Sequence, residues 1–265
     1  MAPLRVTKAH AYGNDFLFVP SAHAGTSLPD LARRLCHRHE GIGGDGLILF
    51  DLTPTGATMQ LFNADGSASE LSGNGLRCLA AIVARERMLS TGATVVVETD
   101  AGTKRLDLIE VDGARYTFRA AMGMPEDLRQ VNISVAGETV LASVLRMGNP
   151  QCIVLGPLPE ADRFHRIGPL LSTHSMFPAG TNVEFACVEA PDRVRILVWE
   201  RGVGPTTSSG TGSSASAVAA AAHGGASRDV EVIAPGGAQR VEWKSDGVYL
   251  TGWAEVVMDG HAIVF

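Results

Sequence analysis

The chain has 265 residues, 45% of them hydrophobic and 19% charged, with a net charge of −6. That length exceeds one minimal domain, and that balance buries a sizeable core, which excludes global disorder. An acidic chain with no Lys/Arg run longer than a pair offers no nucleic-acid surface, and no apolar run reaches the length of a membrane span.

The start, MAPLRVTKAHAYGND, carries no apolar signal segment, so a cytoplasmic protein with no membrane partner is expected. The four cysteines, Cys36, Cys78, Cys152 and Cys187, form no CxxC pair and no Cys/His metal spacing. Free, mostly buried thiols are expected, with no metal site and no disulfide framework.

In chain order, the first half offers short strands in RVTKAHA, DFLFVP, GLILFDL, TMQLFN, TVVVETD and RYTFRA. The second half offers TVLASVLRMG, QCIVLG, TNVEFACV, RVRILVWERG, DVEVIAP, QRVEWKS and VYLTGWAEVVM. Their β-branched and aromatic content, bounded by Gly, Pro, Asn and Asp, favours strands. Helical patterns are fewer. SLPDLARRLCHRH (27–39) has a Ser start and an early Pro, and PEADRFHRIGPLLS (159–172) predicts a shorter helix broken at Gly168-Pro169. NGLRCLAAIVARERML (74–89) and GTGSSASAVAAAAH (210–223) are apolar enough to be buried.

Each half runs through several strands, then reaches a small-residue loop leading into one long buried helix. The loops share a form, SGNG against SGTG, which points to an internal duplication. The expected fold is α/β (α+β): two pseudo-symmetric lobes, each a curled, mostly antiparallel sheet around a central helix. Residues 1–118 form the N-terminal lobe, 119–254 the C-terminal lobe, and a last strand over about 255–265 returns to the first.

At each loop, small residues bring backbone to a helix start, where unpaired N–H groups suit a carboxylate. Either loop alone is explained by tight turns and caps. Two of one form, each starting a long buried helix, point instead to a substrate carboxylate held in a cleft between lobes. Asn14, Asn63, Asn74, Asn149 and Asn182 stand at strand ends or turns, and with Glu200-Arg201 they would line that cleft. Asn both donates and accepts and Arg grips a carboxylate with two bonds, so the lining suits an amino acid.

YGNDF, FNADGS, SGNGLRC, MGNPQC, GTNVEF, WERGVG and SGTG, with PGG and YLTGWAEVVMDG, stand in an order and spacing that resembles diaminopimelate epimerase over nearly the whole chain. The resemblance implies a homodimer that interconverts LL- and meso-diaminopimelate, for lysine and peptidoglycan synthesis, with no metal, pyridoxal phosphate or other cofactor. In that family one thiolate removes the α-proton on one face while an opposite thiol delivers one to the other, and helix N-termini stabilise the developing charge. Carried over by motif, Asn14, Gly73, Asn74, Gly210 and Thr211 hold the reacting end. Asn63, Asn149, Asn182, Glu200 and Arg201 hold the substrate further along, Arg201 pairing the distal carboxylate.

The catalytic positions of the family, cysteines there, are Ser72 and Ser209 here. An alkyl hydroxyl titrates far above a thiol and needs an adjacent base, and no His adjoins either motif. Gln151 stands where the family often has His, and Gly46 where some members have Gln. Cys78 lies more than one turn into its helix and reads as a structural thiol. Three explanations stay open: serines introduced to trap a ligand, natural serines with proton transfer run by another arrangement, or a natural protein that binds without catalysing. The leading expectation is an amino-acid epimerase on diaminopimelate whose activity in this form is in question. The rivals are a racemase or isomerase of another amino acid and a catalytically silent ligand-binding homologue.

Overall fold

The computed structural model describes residues 3–25, 27–69 and 72–263. Residues 70–71 of the first loop and 264–265 of the expected returning strand lie outside them. The chain divides into two compact units, residues 1–120 with 252–265, and residues 121–251. It passes from one to the other within two long strands.

In the first unit, β1 (Leu4–Ala11) and β2 (Asn14–Pro20) form a hairpin. Its loop is Tyr12-Gly13, with φ of 57° and 85°. Two positive φ values make the tight turn whose twist suits flanking strands, and this turn fixes Asn14 as the first residue of β2. Helix α1 (Leu28–Cys36) crosses to β3 (Gly46–Thr53), which runs parallel to β2, and β4 (Gly56–Asn63) returns antiparallel. After the two-residue β5 (Ala68–Ser69), α2 (Gly73–Glu86) crosses to β6 (Thr94–Thr99), parallel to β4. Then β7 (Gly102–Asp112) and β8 (Arg115–Gly123) follow antiparallel. The final strand, β17 (Gly247–Ala262), pairs with both β8 and β1, so the first unit's sheet closes on itself around α2.

The second unit repeats the plan. β9 (Glu126–Val135), β10 (Glu138–Met147) and β11 (Asn149–Leu155) pair antiparallel in turn. Helix α3 (Ala161–Ser172) crosses to β12 (Asn182–Ala190), parallel to β11, and β13 (Arg193–Glu200) returns antiparallel. Short β14 (Gly204–Thr206) precedes α4 (Gly210–His223), which crosses to β15 (Asp229–Ala234), parallel to β13. β16 (Gly237–Lys244) and β17 then complete the antiparallel run. Element by element, β10 to β17 with α3 and α4 repeat β1 to β8 with α1 and α2.

Each unit carries two cores because its strands are apolar on both faces. Along β2, Phe16 and Phe18 pack inward on α2, while Leu17 and Val19 pack outward under α1. In the second unit Ile153 and Ala186 face α4, while Cys152 and Phe185 face α3. The period of two along a strand produces this division. α2 is apolar on every side, with Leu79, Ala80, Ala81, Val83 and Ala84 fully buried, whereas α1 buries Leu31, Ala32, Leu35 and Cys36 and leaves its arginines in water. All four cysteines are free; burial pushes the Cys36 thiol up to about 12 and the Cys78 thiol higher still.

Four elements depart from expectation. α3 runs unbroken through Pro169 to Ser172, held where Gly168 lies against the Trp199 ring, close enough that a Cβ there would stand 3.0 Å from it. α1 stops at Cys36, because His37 takes an extended conformation (φ −61°, ψ 123°). β7 and β9 are additional strands, GTKRLDLIEVD and EDLRQVNISV; their charged residues face water, so each buries too little to announce itself in the sequence. No described helix is long and apolar enough to cross a membrane.

Candidate active site

In the first unit, Ser72 is extended (φ −127°, ψ 122°) and caps α2, its Oγ accepting the Gly75 N–H at 3.1 Å. Gly75 fits because Ile48 crowds it: a Cβ there would lie 2.7 Å from Ile48 Cδ1. Gly73, at the first helical position, faces open space. Asn74 is buried and donates through Nδ2 to Asn14 Oδ1 at 3.2 Å, while the Arg77 guanidinium donates to Asn74 Oδ1. Asn14 in turn donates to Asp45 Oδ2 at 2.7 Å. Three of the sequence-predicted residues, Asn14, Gly73 and Asn74, therefore meet at the start of α2, beside the capping Ser72.

Asp45 and Arg77 belong to this arrangement and were not singled out from the sequence. Asp45 lies in the GGDG loop, whose only noted residue was Gly46; its carboxylate next to an Asn of the neighbouring strand was the missing information. Behind it, Arg38 bonds both Asp45 Oδ1 (2.7 Å) and Asp15 Oδ1 (2.8 Å), and Lys8 reaches Asp15 Oδ2 at 2.8 Å. Burial raises the Asp15 carboxyl, but Arg38 and Lys8 outweigh it and hold it at about 2. Asn63 ends β4 opposite Gly46 and turns its amide into its own loop, donating to Ser67 Oγ at 2.9 Å.

The second unit holds the counterpart. Ser209 (φ −138°, ψ 123°) caps α4, its Oγ accepting the Gly212 N–H at 3.2 Å. Gly210 and Thr211 form the first turn behind it. Asn182 opens β12, and its Oδ1 accepts the Arg201 backbone N–H at 2.9 Å, which fixes the turn after β13. Arg201 Nη1 donates to Ala179 O at 2.8 Å, and Glu200 is the last residue of β13, opposite Gly204. Asn149 opens β11, with its Oδ1 2.6 Å from Gln151 Nε2.

One residue that sequence reasoning passed over stands out. Glu184, within GTNVEF, is fully buried. Its Oε1 lies 2.5 Å from where a Cβ on Gly212 would stand, against the first turn of α4. Burial, followed by the charge of Glu200, pushes its carboxyl well above the ordinary carboxylate range.

Both helix starts thus present a capping hydroxyl, a small first residue and first-turn N–H groups that no helical carbonyl can satisfy. With the positive end of the helix behind them, such groups suit a carboxylate and the negative charge that develops when its α-carbon loses a proton.

The family model of diaminopimelate epimerase matches residues 6–126 and 143–260. A diaminopimelate epimerase of Desulforudis audaxviator is 42% identical over 280 residues, covering 97% of this chain and 98% of its own. One from Desulfitobacterium hafniense is 40% identical and covers 97% of each. Among solved structures, a probable proline racemase from Agrobacterium radiobacter superposes with a TM-score of 0.74 at 16% identity, over 99% of this chain and 93% of that one. A hydroxyproline epimerase from Agrobacterium vitis gives 0.69, also at 16%, over 97% and 92%. Those two share the fold; the curated relatives and the family model share the sequence, and the chain belongs to the diaminopimelate epimerase family of amino-acid epimerases.

Proposed function

We propose that this chain binds diaminopimelate, with Ser72 and Ser209 at the two positions that exchange the α-proton, and that in this serine form the exchange is slow. The observation that carries the reading is the pair of N-capping serines, one per unit, each in the same backbone conformation and each followed by the same glycine contact. A repeat built twice to one pattern fits a reaction in which two groups do the same work on opposite faces of one carbon.

Asn14, Gly73 and Asn74 at α2, with Gly210 and Thr211 at α4, would hold the reacting carboxylate and amine. Asn63, Asn149, Asn182, Glu200 and Arg201 would hold the rest of the substrate, and Arg201 would pair the distal carboxylate. In this reading the chemistry needs no pyridoxal phosphate or metal, because helix N-termini and amide donors stabilise the carbanion. A homodimeric, cytoplasmic enzyme of lysine biosynthesis is the setting that the family relationship supports.

The serines themselves favour a second reading, a binder that has lost catalysis. One experiment separates the two. Incubation with LL-diaminopimelate in heavy water should bring deuterium to the α-carbon slowly, alongside saturable binding by calorimetry. Binding without any incorporation would mark a silent homologue, and no binding would overturn both readings.

A further inference from the structure

The duplication allows the two helix starts to be compared residue by residue. Phe16 pairs with Gly46 across β2 and β3, as Gln151 pairs with Asn182 across β11 and β12. Two residues on, Ile48 in the first unit corresponds to Glu184 in the second. Both crowd the third residue of the central helix: Ile48 Cδ1 lies 2.7 Å from the Cβ position of Gly75, and Glu184 Oε1 lies 2.5 Å from that of Gly212. A carboxyl therefore stands where the first unit has a methyl group. An unneeded carboxyl in a sheet interior is costly.

We propose that Glu184 is the proton carrier behind Ser209, a positioning residue that supplies the base a serine hydroxyl lacks. This rests on the assignment of Ser209 as an acid/base position. Ser209 Cβ and Glu184 Oε1 lie 3.1 Å and 2.5 Å from the position a Cβ on Gly212 would take, so the two side chains border one corner of α4, where one water can carry a proton between them.

The surroundings of Glu184 favour its protonated form. The titratable group that acts on it is Glu200 from β13, which offers no positive charge. From α4 it meets Gly212, with the Thr211 hydroxyl beside Gln151. The Gln151 side-chain amide lies 3.0 and 3.2 Å from Glu184 Oε1 and Oε2, so it can accept from the acid or, turned over, donate to the carboxylate.

The step balances within the protein. In the forward sense Glu184 gives its proton to Ser209 Oγ as the Ser209 proton goes to the substrate carbanion. In reverse the Cα–H bond breaks, its electron pair stays on carbon and spreads into the carboxylate, the proton passes to Ser209 Oγ, and the hydroxyl's own proton passes to ionised Glu184. The corresponding place beside Ser72 holds Ile48, which carries no proton, so the two faces of the substrate are served unequally.

Glu184→Gln and Glu184→Asp test this. In the ligand-free protein, infrared difference spectroscopy should show a neutral carboxyl band at pH 7 that Glu184→Gln removes. With diaminopimelate in heavy water, Glu184→Gln should bind within about twofold of the parent yet lose about 100-fold in α-proton exchange, the scale of one general acid–base group. Glu184→Asp should keep part of the exchange and its pH dependence. A structural role predicts the opposite ranking, since glutamine preserves shape and hydrogen bonds. Absence of the band, unchanged exchange in Glu184→Gln, or a parent protein that binds but never exchanges would each overturn the proposal. Failure to bind diaminopimelate would overturn the functional reading instead, and the infrared band alone would then decide whether Glu184 carries the proton.

Discussion

Ser72 and Ser209 cap their helices in the same way: each Oγ accepts the N–H of the glycine three residues on, at 3.1 Å for Gly75 and 3.2 Å for Gly212. The hydroxyls proposed as the acid/base positions are therefore also structural caps. Ser72→Ala and Ser209→Ala should each cost about 1 kcal/mol of stability, the usual worth of a serine cap. Urea denaturation of the two variants checks this. A loss near zero in both would show that the caps are ornamental and that the serines are held for another reason.

Arg201 is fixed by its backbone to Asn182 and by its guanidinium to Ala179 O. Arg201→Ala should weaken diaminopimelate binding by about 1.5–3 kcal/mol, the range for a hydrogen bond to a charged group. An amino acid without a distal carboxylate should lose far less. Calorimetric titration of both ligands gives the comparison; equal losses would remove Arg201 from the distal site.

Two buried carboxyls tilt stability with pH in opposite senses. Asp15, held at about 2 against an ordinary 3.8, contributes stability that is present above pH 3.8 and is lost as pH falls toward 2. Glu184 is raised above its ordinary 4.5, so its contribution is complete below pH 4.5 and is lost as pH rises through its folded value. Asp15→Asn should flatten the acid limb and cost about 1–3 kcal/mol at neutral pH, where Lys8 and Arg38 lose a partner. Glu184→Gln should flatten the slope above pH 4.5. Stability measured across pH in the two variants separates these effects, and an unchanged acid limb in Asp15→Asn would contradict the first.

Much of the fold was legible because the sequence states it twice. SGNG and SGTG each lead into a helix apolar on every side, and such a helix has to be wrapped by sheet. The strands of β2 and β12 also announce themselves, since both their faces are buried. β7 and β9 do not, because Glu110, Asp112, Arg129 and Asn132 interrupt the apolar pattern on a water-facing side. The helix through Gly168-Pro169 could not be read locally either: what keeps it continuous is packing on Trp199, thirty-one residues further on. The asparagines drew notice as turn residues near strand ends, but their roles come from partners far apart in sequence. Asn14 meets Asp45 and Asn74 only because β2, β3 and α2 begin at one end of one unit. Glu184 was hidden for the same reason. Inside GTNVEF it looks like the polar half of an alternating strand, and only the pairing register shows that its inward side faces α4.

The central claim is that the substrate site is intact and only the acid/base pair has the wrong proton affinity. It is tested most directly by Ser72→Cys combined with Ser209→Cys, assayed for α-proton exchange of LL-diaminopimelate in heavy water. A thiol starts near 8.5 and is lowered further at a helix N-terminus, so the double variant should gain roughly 100- to 10,000-fold or more over the serine form. Each single variant should remain poor at full epimerisation, because each face needs its own group. A double variant that binds diaminopimelate but gains nothing, or a serine form already as fast, would contradict the account.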